Sequence, residues 1–377
     1  MGAAGEFAVE RPLRILIITT GLKLGGAEQQ IAALARTFVA LGNDVTIVSL
    51  TKGQEIDLPS HIGVTELDMR KTPLSMLVAL RKARQLVHQW QPDVIHAHMV
   101  HSNLFARALA RTGHMPPVIC SAHSAREGGR LRALAYRATD RWCDLTTHVS
   151  EAGRQAMVAS GAVPDGRVIV MPNGIDTTRF RPDSASRERT RCDLGLGPDD
   201  VLILNVGRLV PEKDQAMLIK AFSEVNRRIP NARLMIAGDG PLRAELASQI
   251  EKHELNHAVL LAGVRRDIPE LLQAADVFVL SSRIEGMPLA VAEALASGLP
   301  VVATDAAGVS ELASGTATLT PIGDAQALTR ALRDTIARLP GTQSERDRRR
   351  QQIVSRFDVS AVARLWLAQY GKLKEER

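Results

Sequence analysis

Short apolar runs alternate with longer amphipathic stretches along almost the whole chain. In the first half, residues 14–20 (RILIITT), 44–50, 93–96, 117–120, 145–149 and 168–170 are apolar on both faces, as strands buried in a parallel sheet are. Between them, 27–41, 74–90, 129–142 and 151–160 carry apolar residues at helical spacing. The second half repeats the alternation. Strands are predicted at 201–206, 232–237, 259–263, 277–280 and 300–303. Helices are predicted up to residue 228, after Pro241, from Asp267 as a cap to Ala274, and over 288–298, 324–339, 344–356 and 360–373. Between the halves, Pro172-Asn173-Gly174, Pro182 and the charged run 183–193 read as a connector. Strand–helix alternation in two blocks predicts two α/β domains with parallel sheets.

The length of 377 residues suits two cores rather than one. A hydrophobic share of 45% and a mean hydropathy of −0.03 describe a globular chain. The longest apolar stretch, 287–309, holds Glu293, Asp305, Pro and Gly, so no membrane span is predicted. The first ten residues lack the basic-then-apolar order of a signal peptide. Cys120, Cys143 and Cys192 are odd in number and far apart, which points to a reducing cytoplasm and away from a disulfide frame.

The net charge of +6 is uneven. Residues 1–175 hold 19 Lys and Arg against 14 Asp and Glu, whereas the remainder holds 28 against 27. Basic residues cluster at 70–84 and 126–141. With 3% aromatics the chain lacks stacking platforms for nucleic acid, so an anionic membrane surface or a diphosphate-bearing acceptor is the expected partner. Solvated helix faces would carry the same charges.

Residues 281–304 (SSRIEGMPLAVAEALASGLPVVAT) concentrate the candidate chemistry. A strand end leads through a turn into a helix of small residues. Glu285 lies in the turn and Glu293 in the helix, eight positions later. Unpaired N–H groups at 287–289 would receive phosphate oxygens at a helix N-terminus. Carboxylates suit sugar hydroxyls, and eight positions at helical rise would set the two about 12 Å apart. Ribose at one end, hexose at the other and diphosphate between them match that span. The alternative is a buried strand–helix–strand unit with solvated glutamates. Elsewhere, the turn after the first strand holds Gly25-Gly26 but no G-x-G-x-x-G. Arg208 and Lys213 stand where a strand opens into a helix. His98 and His123 end or follow strands, where open α/β sheets bind ligands. No metal-ligand spacing accompanies the histidines.

Glu285-Gly286-x-Pro288, Glu293-Ala294 and Gly298-Leu299-Pro300-Val301-Val302 together resemble the E-x7-E element of retaining glycosyltransferases of family four, the group 1 glycosyltransferases. Gly25-Gly26, PNGID at 172–176 and Arg208 with Lys213 fall in the same order. The resemblance implies the GT-B fold: α/β, two Rossmann-like parallel-sheet domains facing a central cleft. Residues 12–175 would bind acceptor, 176–357 would bind the nucleotide-sugar donor, and the helix 358–377 would pack back on the first domain. It implies that Glu285 contacts the transferred sugar, Glu293 the ribose and His123 the sugar near the reacting carbon. Arg208 and Lys213 would neutralise the leaving diphosphate. Gly25, Gly26, Gly286, Met287, Pro288 and Leu289 would line the donor, with the backbone of Val264 against the base. His98, Arg126 and Arg130 are the residues expected on the acceptor side. No metal and no cofactor are expected, because the cations and helix amides would replace a divalent ion. The expected reaction moves a hexose or N-acetylhexosamine, from UDP rather than GDP on the wording of EGMPL, to a saccharide acceptor that is lipid-linked. A cytoplasmic protein, peripheral at the inner membrane face, would do this. A sugar-nucleotide epimerase of the same fold and a bilobal sugar-binding protein are the competing readings.

Overall fold

The computed structural model describes residues 11–124 and 129–376. In the first half, β1 (Arg14–Thr19), α1 (Gly26–Ala40), β2 (Asp44–Ser49), β3 (Gly63–Glu66), α2 (Pro73–Trp90), β4 (Val94–His98) and α3 (Val100–Ala110) come first. They are followed by β5 (Val118–Ala122), α4 (Arg130–Thr139), β6 (Leu145–His148), α5 (Glu151–Ala159) and β7 (Val168–Val170). Their strands form a parallel sheet in the order β3-β2-β1-β4-β5-β6-β7.

After α6 (Ser184–Asp193) the pattern begins again. It runs β8 (Val201–Val206), α7 (Gln215–Asn226), β9 (Ala232–Ala237), α8 (Arg243–Lys252), β10 (Val259–Gly263), α9 (Ile268–Ala274) and β11 (Val277–Leu280). Then come α10 (Leu289–Ala296), β12 (Val301–Thr304), α11 (Val309–Ala313), β13 (Ala317–Thr320) and α12 (Ala325–Ile336). This second sheet is also parallel, in the order β10-β9-β8-β11-β12-β13. In both sheets the strand order reverses beside the first strand, β1/β4 and β8/β11. Crevices at the carboxyl ends of such strands are where open α/β sheets bind ligands.

Several elements depart from the sequence reading. Pattern reading misses β3, α3, α11 and β13, which are short or lack a clean apolar period. The charged run taken as connector is α6. Its Arg187 and Arg191 both pair with Asp276 (2.5 and 3.0 Å), so the arginines dock the helix. Asp267 is the N-cap residue of α9 and its carbonyl accepts from Leu271 N–H at 3.0 Å, but its side chain makes no capping bond and pairs with Arg265 instead.

The chain ends in α13 (Gln343–Phe357), opened by a Thr342/Glu345 capping box, and α14 (Val359–Glu375). Two passes of the chain lie side by side between the lobes. Ile175 N–H donates to Phe357 O (2.6 Å) and Val359 N–H to Ile175 O (2.9 Å). A side chain at Gly174 would put its Cβ 2.7 Å from Val359 Cα, so this approach needs glycine. Beyond the crossing, α14 packs on α1 and buries Val362, Trp366, Tyr370 and Leu373 in the first lobe's core. Tyr370 Oη bonds the buried His96 Nδ1 at 2.6 Å, and His96 Nε2 meets Ser121 Oγ at 2.7 Å. Burial drives the His96 pKa down to about 3, so it stays neutral between these partners. A Tyr370→Phe variant leaves His96 Nδ1 unpaired inside the core. We expect it to lower unfolding stability by about 1–3 kcal/mol in urea titration. An unchanged midpoint would mean that this bond contributes nothing to docking of α14.

Candidate functional site

The C-terminal edges of both sheets face one cleft, and each candidate side chain is placed by the turn that follows a strand. On the second lobe, the turn after β8 is stitched to the turn after β11. Ser281 Oγ donates to Lys213 O (2.8 Å), Arg283 N–H to Glu212 O (2.8 Å), and Arg283 pairs with Asp214 (2.6 Å). This stitching brings Lys213 Nζ to 2.6 Å from Glu285 Oε1, with Glu285 only 8% exposed. The carboxylate partner of Lys213 is therefore Glu285, and not its neighbour Glu212. Arg208 stands exposed at the same edge, its carbonyl held by Gln215 Nε2 at 3.0 Å.

Helix α10 begins at Leu289, with Pro288 as its N-cap residue. Glu285 and Gly286 therefore lie in a non-helical turn, and the helical-rise estimate of their span to Glu293 does not apply. Glu293 is half-buried on α10. Desolvation raises its pKa to about 7, partly offset by the charge of Arg179. Leu289 faces α1 across the cleft, its Cδ1 lying 3.7 Å from where a Gly26 Cβ would stand. Met287 points away from the cleft: it is buried, and its Sδ accepts from Asn173 N–H at 3.2 Å. Expected among the donor-lining residues, Met287 thus puts its side chain at the crossover, while its backbone stands at the turn into α10. Val264 follows the bulged end of β10 and is 56% exposed.

On the first lobe, Gly25 and Gly26 start α1. Glu28, which sequence reading passes over, folds its carboxylate back over Gly25, so that a Cβ there would lie 2.3 Å from Oε2. Desolvation raises the Glu28 pKa, while its own amide and the charge of Arg208 pull it down. Glu28 is thus in electrostatic reach of the opposite lobe. The GGAE order was the available signal.

His123 lies just past β5, half-buried, with Nε2 3.0 Å from His98 Nδ1. Burial holds the His123 pKa down to about 4 and that of His98 well below its usual value, so both rings are neutral. His98 itself is 1% exposed. Expected on the acceptor side, it lies instead behind His123 and touches no open surface. The alternation of a parallel strand turns it into the same layer as His96, whose ring centroid is 3.9 Å away. Arg130 stands exposed at the start of α4. Arg126 lies outside the described residues. Among the described residues no group of three His, Cys, Asp or Glu is placed to hold a metal ion.

The comparisons with known proteins accord with this geometry. Residues 24–179 match the model of Glycosyltransferase Family 4, and residues 186–351 match that of Glycosyl transferases group 1. The chain belongs to this family, and it is an enzyme of the glycosyltransferase class. It is 29% identical over 313 residues to the putative glycosyltransferase EpsF of Bacillus subtilis, covering 78% of this chain and 79% of that one. It is 30% identical over 249 residues to the UDP-Gal:alpha-D-GlcNAc-diphosphoundecaprenol alpha-1,3-galactosyltransferase of Escherichia coli, covering 62% of each chain. It is 35% identical over 245 residues to a GDP-mannose-dependent alpha-(1-6)-phosphatidylinositol monomannoside mannosyltransferase of Mycolicibacterium smegmatis, covering 61% of this chain and 63% of that one. Among solved structures, Anabaena HepE in complex with UDP-glucose superposes with a TM-score of 0.83 at 23% identity, covering 97% of this chain and all of that one. Sucrose-phosphate synthase of Thermosynechococcus elongatus gives 0.83 at 20%, with the same coverage. The fold is GT-B.

The raised Glu293 pKa has a measurable consequence. Below about pH 4.5 this carboxyl is protonated in both folded and unfolded chains, and its contribution is fully present. Between 4.5 and 7 the unfolded chain releases the proton first, so that contribution is lost as pH rises. We expect the wild-type melting temperature to fall relative to that of Glu293→Gln as pH increases from 5 to 8. Parallel curves for the two proteins would show that Glu293 has an ordinary pKa.

Proposed function

We propose that this chain is a retaining, metal-independent glycosyltransferase that moves a hexose or N-acetylhexosamine from a UDP-sugar to a saccharide hydroxyl. The observation that carries this reading is the gathering of Lys213, Glu285 and Arg208 on one lobe. They face Gly25 and Gly26 at the α1 N-terminus on the other lobe. In the reaction the bond between the anomeric carbon and the diphosphate oxygen breaks through an oxocarbenium-like state. Negative charge grows on the departing diphosphate. Arg208, Lys213 and the amides at the start of α10 stabilise it most at that moment, doing the work that a divalent ion does elsewhere. Glu285, turned by its contact with Lys213, holds the sugar, Glu293 takes the ribose hydroxyls, and neutral His123 supports the sugar near its reacting carbon. The acceptor hydroxyl bonds to that carbon from the leaving-group side and passes its proton to the departing phosphate. UDP as the nucleotide has the support of the Escherichia coli relative named for UDP-Gal, whereas the mycobacterial relative is named for GDP-mannose.

A lipid-diphosphate-linked acceptor at the inner membrane face suits the first lobe's surface. Leu74, Leu77 and Val78 on α2 are exposed beside Arg81 and Lys82, and Leu131 and Leu134 on α4 are exposed among Arg130, Arg132 and Arg137. Apolar side chains among cations on one surface favour an anionic bilayer over water. Among the described residues no helix is long and apolar enough to cross a membrane.

A thermal-shift screen with UDP, GDP and ADP tests the donor, since a ligand that binds only the folded state raises the melting temperature. UDP is expected to give the largest shift, and a flat response to UDP would sink that assignment. Arg208→Ala and Lys213→Ala should each lower turnover with the UDP-sugar by on the order of 10²–10³. Wild-type turnover in both would remove the charge-neutralising role. Sedimentation with phosphatidylglycerol vesicles should pull the protein down at low salt and release it at high salt. Absence of binding at low salt counts against the membrane surface.

A further inference from the structure

The groups assigned to the reaction sit on two bodies. His123 belongs to the first lobe, whereas Arg208, Lys213, Glu285 and Glu293 belong to the second. Their mutual register is not set by either sheet, and misplacement of reacting groups by about 1 Å costs turnover heavily. One side chain outside the assigned set bridges the lobes directly. Glu311, on α11 of the second lobe, accepts hydrogen bonds from the first two amides of α5 on the first lobe. Glu151 N–H donates to Oε2 and Ala152 N–H to Oε1, both at 2.7 Å. These amides have no partner within their own helix and carry the positive end of its dipole. A carboxylate engaging two of them at once is a charge-assisted, bidentate contact. From its own lobe, the same helix end receives Ser150 Oγ, on Gly153 N–H at 3.3 Å.

Glu311 is also tied to the reacting turn. Gly308, which opens α11 at φ +80°, lies so close to Gly286 that a Cβ on it would stand 1.8 Å from Gly286 O. Gly286 in turn presses on the first lobe, where its own Cβ would stand 2.1 Å from His123 O. A second route returns to the same place. Beneath α5, Ser150 N–H donates to His148 Nδ1 (3.1 Å), which leaves Nε2–H to donate to Ser124 O (3.1 Å). Gly153 makes room for this ring, since a Cβ there would fall 1.6 Å from its Cε1. The second lobe thus meets residues 123–124 twice, once through Gly286 and once through Glu311, α5 and His148.

We propose that Glu311 is a positioning residue. Its carboxylate, seated on the α5 N-terminus, sets the register of the closed lobes, so that the Glu285-Gly286 turn and His123 come together around the donor sugar. Opening the cleft must break this contact, and both partners then regain water. The clasp therefore biases closure without locking it. This inference rests on the glycosyltransferase reading, and it extends that reading to a residue that touches no substrate.

The test compares wild type with Glu311→Ala and Glu311→Gln, and uses Thr342→Ala as a control that removes a helix cap far from the cleft. Small-angle scattering without nucleotide should show a larger radius of gyration for Glu311→Ala. With UDP-glucose as donor, or whichever UDP-sugar the wild type turns over, kcat should fall on the order of ten- to a hundredfold. The Kd for UDP, held by the second lobe, should stay within about threefold. Glu311→Gln, which retains an acceptor oxygen without the charge, should fall between. Thr342→Ala should melt earlier while keeping the wild-type envelope and kcat. A Glu311→Ala protein that also melts earlier but keeps the wild-type envelope and kcat would reduce Glu311 to a plain cap and overturn the proposal. The scattering comparison needs no donor. If the wild type turns over no nucleotide-sugar, the proposed function fails, while the envelope still decides whether the clasp sets closure.

Discussion

The structure depends on one constraint: its candidate site residues are divided between two sheets that are joined, among the described residues, by backbone crossings and the cleft contacts. Each sheet is a rigid, close-packed body, so the groups on one lobe hold their mutual distances well. Lys213 and Glu285 meet at 2.6 Å because two adjacent turns of a single lobe are sewn together by backbone bonds. His123 and Glu285 stand on different lobes, so no single sheet sets their distance. That relation passes through glycine contacts at Gly286 and Gly308 and through the crossings at 174–175 and 357–359.

Charge follows from this division. Lys213 pairs with Glu285 on its own lobe, and Arg208 acts on Glu28 of the opposite lobe through its charge. His96, His98 and His123 in the first lobe are neutral, since burial disfavours the charged ring.

The two-pass crossing gives the last helix its role. Because Ile175 pairs on both sides of Asp358, α14 starts in register with the connector and is directed back onto α1. Its Tyr370 then reaches the histidine layer under His123. The end of the chain is in this way part of the support of the first lobe's half of the site.

Local pattern determined much of this protein. Runs apolar on both faces require burial in a parallel sheet, and their repetition in two blocks requires two lobes. Residue type and order were enough to place Arg208, Lys213 and Glu285 in turns after strands and Glu293 on the helix that follows, since a loop after a parallel strand has one edge to occupy. Side-chain direction and partnership were decided by tertiary structure alone. His98 lies behind His123, Met287 fills the crossover, the charged run 183–193 is a docked helix, and Glu311 reaches the opposite lobe. Each of these depends on contacts between residues tens to hundreds of positions apart, and a one-dimensional period carries no information about which distant surface a side chain will meet.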